Sequence, residues 1–107
     1  IGYDDIFSYQ IEKYAEPDDV LFCVSSSGDS PNIVKAIEVA KERKLLTLSF
    51  VGFAGGKAKD LSDLSIHIKS NNYGVVEDSH HILMHLFSQY LRLSYIDDKN
   101  KIGKIKF

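Results

Sequence analysis

A three-layer α/β/α fold around a parallel sheet is the architecture this sequence predicts, and three observations carry the expectation. Apolar, strand-like runs recur at residues 20–24, 45–51 and 64–69. Helical patterns separate them, and each connection is long enough for a parallel crossover and too long for a hairpin. The 107 residues, 44% of them hydrophobic, suffice for one small domain rather than two.

Taken in order, residues 4–14 carry Ile6, Phe7, Tyr9, Ile11 and Tyr14 on a mixed face. That predicts a short helix, ended by the turn Glu16-Pro17-Asp18-Asp19. Val20-Leu21-Phe22-Cys23-Val24 has no polar alternation, which predicts a strand buried on both faces. Ser30 is a favoured N-cap and Pro31 a favoured first helical residue. With Ile33, Val34, Ile37 and Ala40 at helical spacing, they predict an amphipathic helix over 31–44. Residues 45–51 predict a second strand, 52–56 a turn, and 57–61 a short helix at most. Residues 64–69 predict a third strand with Ile66 and Ile68 on one face, and His67 facing outward.

After a polar turn at 70–74, Ile82, Leu83, Leu86, Phe87, Tyr90 and Leu91 follow the helical period, so 76–95 is the longest expected helix. Residues 97–106 are charged, with Ile102 and Ile105 as the apolar anchors, and read as a frayed tail, a linker or a strand added in context. The domain is therefore expected over 1–95, with 96–107 as a charged tail or linker.

A formal charge of -2 supplies no broad basic field, which argues against a nucleic-acid partner recruited by charge. No run approaches a membrane span and no signal-peptide pattern opens the chain, so a cytoplasmic protein is expected. The single Cys23 cannot form an internal disulfide, and its apolar setting points to a buried, inert thiol.

The chemistry concentrates in Ser25-Ser26-Ser27-Gly28-Asp29-Ser30-Pro31, directly after the first apolar run. A turn of small residues exposes backbone N–H groups, serine hydroxyls add donors, and the following helix turns its positive end toward the loop. Such a loop suits an anion, phosphate above all; the plainer alternative is a serine-rich turn before a capped helix.

Several stretches in order resemble one family. They are Gly2-Tyr3-Asp4-Asp5-Ile6-Phe7-Ser8, residues 24–30 with Pro31-Asn32-Ile33-Val34-Lys35-Ala36-Ile37, residues 52–57 and residues 77–85. Together they resemble the C-terminal half of a sugar isomerase (SIS) domain, closest to the phosphoheptose isomerases, over roughly residues 1–92. The resemblance implies a flavodoxin-like parallel α/β sheet that is incomplete in this chain. The family's N-terminal half, with a further strand, a glycine-rich serine loop and a catalytic glutamate, is not in these residues. Because the chain opens on isoleucine, it reads as a fragment or trimmed part of a longer protein.

The resemblance implies that Ser25, Ser26, Ser27 and Ser30 hold the phosphate of a sugar phosphate. The family often has asparagine where Asp29 stands; a carboxylate facing a phosphate would repel it, so Asp29 is expected to point away or to cap the helix. His85 matches the family's proton-exchanging histidine, and Glu77 falls where many members have glutamine. Isomerisation through an enediol needs one group to remove a carbon-bound proton and another to move protons at the oxygens, and histidine suits either task near neutral pH.

His81 and His85, four apart, have a spacing that suits a zinc pair. The resemblance points instead to Glu77 with His85, joined in some members by upstream ligands. Eight helical residues span about 12 Å, so both reach one ion only if Glu77 sits on an irregular first turn and leans inward. Otherwise Glu77 is solvated and no metal is held. His80 and His81 are expected as surface or interface histidines, Asp60, Ser62 and Asp63 as capping and turn residues, and Lys57 as solvent-facing although within reach of a phosphate. Two functional readings follow. One is a sedoheptulose 7-phosphate isomerase serving heptose or surface-polysaccharide synthesis, working as a homotetramer. The other is a non-catalytic SIS module that senses a phosphosugar or scaffolds an assembly, as some relatives associate with the replication initiator.

Overall fold

The computed structural model describes residues 1–97, 99–104 and 106. A 3-10 turn at Tyr3–Asp5 leads into α1 (Ile6–Tyr14), followed by β1 (Val20–Ser25), α2 (Pro31–Glu42), β2 (Leu46–Val51), α3 (Gly56–Leu61), β3 (Leu64–His67) and α4 (Tyr73–Ser94). The three strands lie in the order β1-β2-β3 and every pair is parallel, with Val20 beside Leu46 and Leu48 beside Leu64. Helices cover both faces, as the alternation of strand and helix patterns predicts.

One face of the sheet meets α2 and α3. Cys23 and Val51 pack there with Ile37 and Ala58, flanked by Leu21, Ile33 and Leu61. Next to them Ile11 of α1 joins Ala36, Ala40 and Leu45, so α1 is carried by α2 rather than by the sheet. Burying a side chain such as Ile37 completely contributes about 1.5–3 kcal/mol. Burial also pushes the Cys23 thiol up to about 11, so it stays protonated and inert near neutral pH. Arg43 ties the helix pair at its far end, donating to the carbonyls of Glu12 at 2.7 Å and Ala15 at 2.9 Å, where α1 leaves its last acceptors without helical partners.

Among the described residues, α4 is the helix that meets the opposite face. Phe50 is fully buried there, with Phe22 edge-on at 4.7 Å between ring centroids and Phe87 at 5.6 Å. Away from this aromatic patch the face is open: Val20 is 56% exposed, Leu46 47% and Leu64 59%. The expectation that 20–24 is buried on both faces is therefore corrected. Its lack of polar alternation is real, but β1 is an edge strand and a single helix cannot cover three strands. The radius of gyration is 15.9 Å, against about 13 Å for a compact domain of this length. The excess reflects α4, whose buried residues are Val76 and His80, near its start.

α2 stops short of the expected 44 because Lys44 adopts the left-handed conformation, φ 62°. The N–H groups of Lys44 and Leu45 then return to the carbonyls of Lys41 and Ala40, a Schellman closure that turns Leu45 into the core. Two histidine expectations are also corrected. His67 is half-buried, with Nε2 2.7 Å from the Phe53 carbonyl and Nδ1 buried without a partner. His80 is 2% exposed rather than superficial. In the tail, Lys99–Lys104 forms 3-10 turns, and Ile105 lies outside the described residues.

Asp63 is the turn residue that sequence chemistry suggests, and it also clamps β2. Its Oδ2 accepts from the Thr47 N–H at 2.9 Å and the Thr47 hydroxyl at 3.0 Å, while its own N–H donates to Thr47 Oγ1 at 2.9 Å. These bonds hold the Asp63 carboxyl below its ordinary pKa, first through the Thr47 N–H, with Lys41 assisting at 3.5 Å. A lowered folded-state pKa means that the charged form's contribution is present above the ordinary carboxylate range and is lost as pH falls through the folded value. The melting-temperature advantage of the native protein over Asp63→Asn is therefore expected to be full at pH 6 and to be smaller at about pH 3, below the ordinary carboxylate value. A gap that is constant between those pH values would contradict this role.

Candidate functional site

Ser25 ends β1 and Val51 ends β2, and the two are register partners. The loops that follow therefore leave the carboxyl edge of the sheet side by side, the usual location of ligand sites in open parallel sheets. Their backbones interlock. The Gly52 N–H donates to the Ser26 carbonyl at 2.8 Å, and the Ala58 N–H to the Gly28 carbonyl at 2.8 Å. Gly28 has φ +70° and lies where a Cβ would run into the carbonyl of Gly55. Gly56 has φ +60°, and a Cβ there would stand 2.7 Å from Asp29 Oδ1. Neither position accepts a side chain.

Within this frame the serines divide. Ser25 is buried and its Oγ accepts from the Gly28 N–H at 3.1 Å, and Ser27 Oγ accepts from the Asp29 N–H at 3.2 Å. Ser26, Ser27 and Ser30 are partly exposed. Ser30 occupies the N-cap position of α2 with Pro31 behind it, yet its side chain makes no capping bond. The expected capping is thus corrected: the Ser30 carbonyl receives the Ile33 and Val34 N–H groups at 3.0 Å each, while its hydroxyl caps nothing. Asp29 does cap a helix, but it is α3: Oδ1 accepts the Lys57 N–H at 2.9 Å. The Lys57 side chain is exposed.

α4 forms the second wall. Asn72 caps it, accepting the Val75 N–H at 3.2 Å, and Val76 is fully buried. His80 Nε2 lies 2.9 Å from the carbonyl of Val51. A carbonyl can only accept, so this nitrogen carries the proton. The His80 ring lies 5.9 Å from that of Phe50. Together these contacts fix the start of α4 to the end of β2. As a result Glu77, His81 and Met84 share a cavity of about 220 Å³ with Val24, Ser26 and His80.

His85 is not in that cavity. It is exposed and lines a separate groove with Ser88, Gln89 and Arg92. The reason is helical pitch: eight residues of regular helix carry His85 about 12 Å beyond Glu77. Glu77 stands inside the regular helix, past its first turn, so the irregular start that would let both side chains reach one ion is absent. Among the described residues no group of three or more His, Cys, Asp or Glu converges on a point. Glu77 and His85 alone do not make a zinc site.

The β2–α3 turn is held from its other side by a feature the sequence does not advertise. Phe53 has φ 45°, a left-handed conformation costly for an aromatic residue. Its N–H donates to the Ser70 carbonyl at 3.0 Å, its carbonyl meets His67 Nε2, and its ring stands edge-on to Tyr73 at 4.6 Å.

Residues 1–52 match the family described as SIS domain. A phosphoheptose isomerase from Helicobacter pylori (strain P12) is 38% identical over 85 residues, which are 79% of this chain and 44% of that protein. One from Trichlorobacter lovleyi is 39% identical over 94 residues, 84% of this chain and 48% of its own length. Among solved structures, a phosphoheptose isomerase from Neisseria gonorrhoeae aligns with a TM-score of 0.77 at 28% identity, covering 79% of this chain and 49% of that one. Another, from Francisella tularensis, aligns with a TM-score of 0.76 at 27% identity, covering 79% and 46%. The chain spans less than half the length of these relatives.

The interlocked loops make Gly28 the least replaceable residue of the site. Gly28→Ala forces both a strained φ and a backbone collision, and is expected to lower stability by about 3 kcal/mol or more, read as a fall in the denaturation midpoint. A midpoint unchanged within error would show that the two loops are free to separate.

Proposed function

The chain belongs to the SIS domain family, and from that premise we propose that the intact protein is a sedoheptulose 7-phosphate isomerase. One observation carries the reading: the serine loop, backed by the amino end of α2, opens beside the cavity that Ser26 shares with Glu77 and His81 of α4. In this reading Ser26, Ser27 and Ser30 donate hydroxyls to the phosphate of the sugar. Ser25 contributes by holding the loop's shape through Gly28. The α2 dipole favours the dianion at the same point.

Anchoring the phosphate leaves the carbonyl end of the sugar to the second wall. A base removes a proton from carbon 1 of the ketose while the carbonyl oxygen at carbon 2 gains one, which yields an enediol. The proton then returns to carbon 2 as the carbon 1 hydroxyl loses its own, and the aldose forms with no atom gained or lost. His85 is one proton carrier in this proposal. The resemblance assigns the other to a glutamate outside these residues. Zinc held by Glu77 and His85 would need further donors from outside them as well, and the metal content of the purified protein tests it.

Further parts of the proposal concern setting. The domain ends with α4, residues 96–107 form an appendage, and the enzyme is a cytoplasmic homotetramer. The exposed apolar stripe of Ile82, Leu86, Phe87, Tyr90 and Leu91 supports an assembly, since each is at least 40% exposed. Among the described residues no helix is long and apolar enough to cross a membrane. The second reading, a phosphosugar sensor without turnover, is favoured by the distance of His85 from the serine-loop cavity.

Turnover of sedoheptulose 7-phosphate separates the readings. In the intact protein Ser30→Ala is expected to weaken phosphosugar affinity about tenfold, and His85→Ala to lower kcat by about 100-fold or more. Binding without turnover in the native protein would establish the sensor, and unaltered affinity in Ser30→Ala would remove the loop from the site.

A further inference from the structure

α3 lacks a cap of its own. The residue at its N-cap position is Gly55, with φ 91° and no side chain to accept from the first turn. Both acceptors come from the serine loop. The carbonyl of Gly28 takes the Ala58 N–H at 2.8 Å, and the carboxylate of Asp29 takes the Lys57 N–H at 2.9 Å. Asp29 is also joined to the serines, since its N–H donates to Ser27 Oγ at 3.2 Å. One residue thus connects the hydroxyl of a candidate phosphate ligand to the start of a helix on a different strand.

We propose that Asp29 is a positioning residue: its carboxylate latches the serine loop to the amino end of α3 and so sets the loop's anion-binding geometry. The proposal rests on the phosphate reading of that loop. Asp29 carries a charge of the wrong sign for a phosphate neighbour, and the latch accounts for its presence there. Fastened to the Lys57 N–H, the carboxylate is spent on a backbone donor and drawn to the α3 side of the loop. The helix amino end, where negative charge is favourable, offsets part of its repulsion of a bound anion. Losing the latch leaves the Ser27–Asp29 segment tied to α3 through the Gly28 carbonyl alone, so more of the ordering of the hydroxyls falls at the moment of binding, which weakens affinity.

Two substitutions separate this role from the alternatives. Asp29→Asn keeps an oxygen that accepts from Lys57 and removes the charge, whereas Asp29→Ala removes both. A latch orders phosphate affinity as Asn at least equal to Asp, and Asp above Ala by about tenfold. A bystander whose only effect is repulsion makes both variants bind more tightly than the native protein. A purely structural residue lowers the melting temperature of the alanine variant with no change in affinity.

The experiment uses the intact protein with two readouts. Calorimetric titration with sedoheptulose 7-phosphate, and with inorganic phosphate, gives the affinities. Amide hydrogen exchange without ligand follows the Lys57 N–H. The expected result is fast Lys57 exchange and about tenfold weaker binding in Asp29→Ala, both restored in Asp29→Asn; if turnover is present, the alanine defect falls on KM with kcat held within about twofold. Equal or tighter binding by Asp29→Ala, or slow Lys57 exchange in it, overturns the latch. If the native protein binds neither ligand, the phosphate reading fails and the positioning claim falls with it, while Lys57 exchange still shows whether the clasp itself exists.

Discussion

The contact on which the rest of this structure depends is the backbone-to-backbone packing of two loops at the carboxyl edge of the sheet. Gly28 and the Gly55-Gly56 pair approach so closely that neither side has room for a Cβ. Parallel pairing of β1 and β2 brings the loops together, because Ser25 and Val51 end their strands in register. Three hydrogen bonds, from Gly52, Lys57 and Ala58, then close the gap. Backbone groups in such a loop must find partners if they are not to remain unpaired beside the core. Here each loop supplies the other's partners, so neither has its shape alone.

From that contact the candidate site extends in two directions. Toward α2, the loop presents Ser26, Ser27 and Ser30 with no hydroxyl committed to capping α2. Toward α4, the end of β2 receives His80, and the helix is thereby aimed with Glu77 and His81 over Ser26. Beyond His80 the helix keeps Phe87 against Phe50 and Phe22 of the sheet, while its pitch carries His85 past the cavity and its outer side leaves a row of large apolar side chains in solvent. Among the described strands β1 is an edge, and a groove of about 370 Å³ lined by Phe7, Ile11, Leu21, Phe22 and Cys23 runs beside it, between the strand and α1.

Much of this was legible in the residues, and the exceptions have physical causes. Apolar runs and helical periods locate the three strands and four α-helices of the described residues to within a few residues, because hydrophobic period is local. The serine loop was visible for the same reason. The 3-10 turns at Lys99–Lys104, in contrast, fall where a frayed tail, a linker or a strand is expected. What could not be read is decided by packing at long range. Phe22 belongs to an apolar run in either case, and only the number of covering helices decides that it is 40% exposed. His80 and His81 are adjacent and chemically identical, yet the helix phase turns one toward Val51 and the other to solvent. Asp29 reads as a residue near the start of α2, and its actual partner, Lys57, is 28 positions away. The SIS resemblance identifies the loop and His85, but it does not bring them together within this chain.

The central claim, that the interlocked serine loop is the phosphate site, is tested most directly by amide chemical-shift mapping of the intact protein titrated with sedoheptulose 7-phosphate. Saturable shifts concentrated on the amides of Ser26 to Ser30 and Asn32, with weaker ones in the first turns of α4, are the expected result. Shifts centred on the groove of His85, Ser88 and Gln89, with the serine loop unmoved, would contradict it.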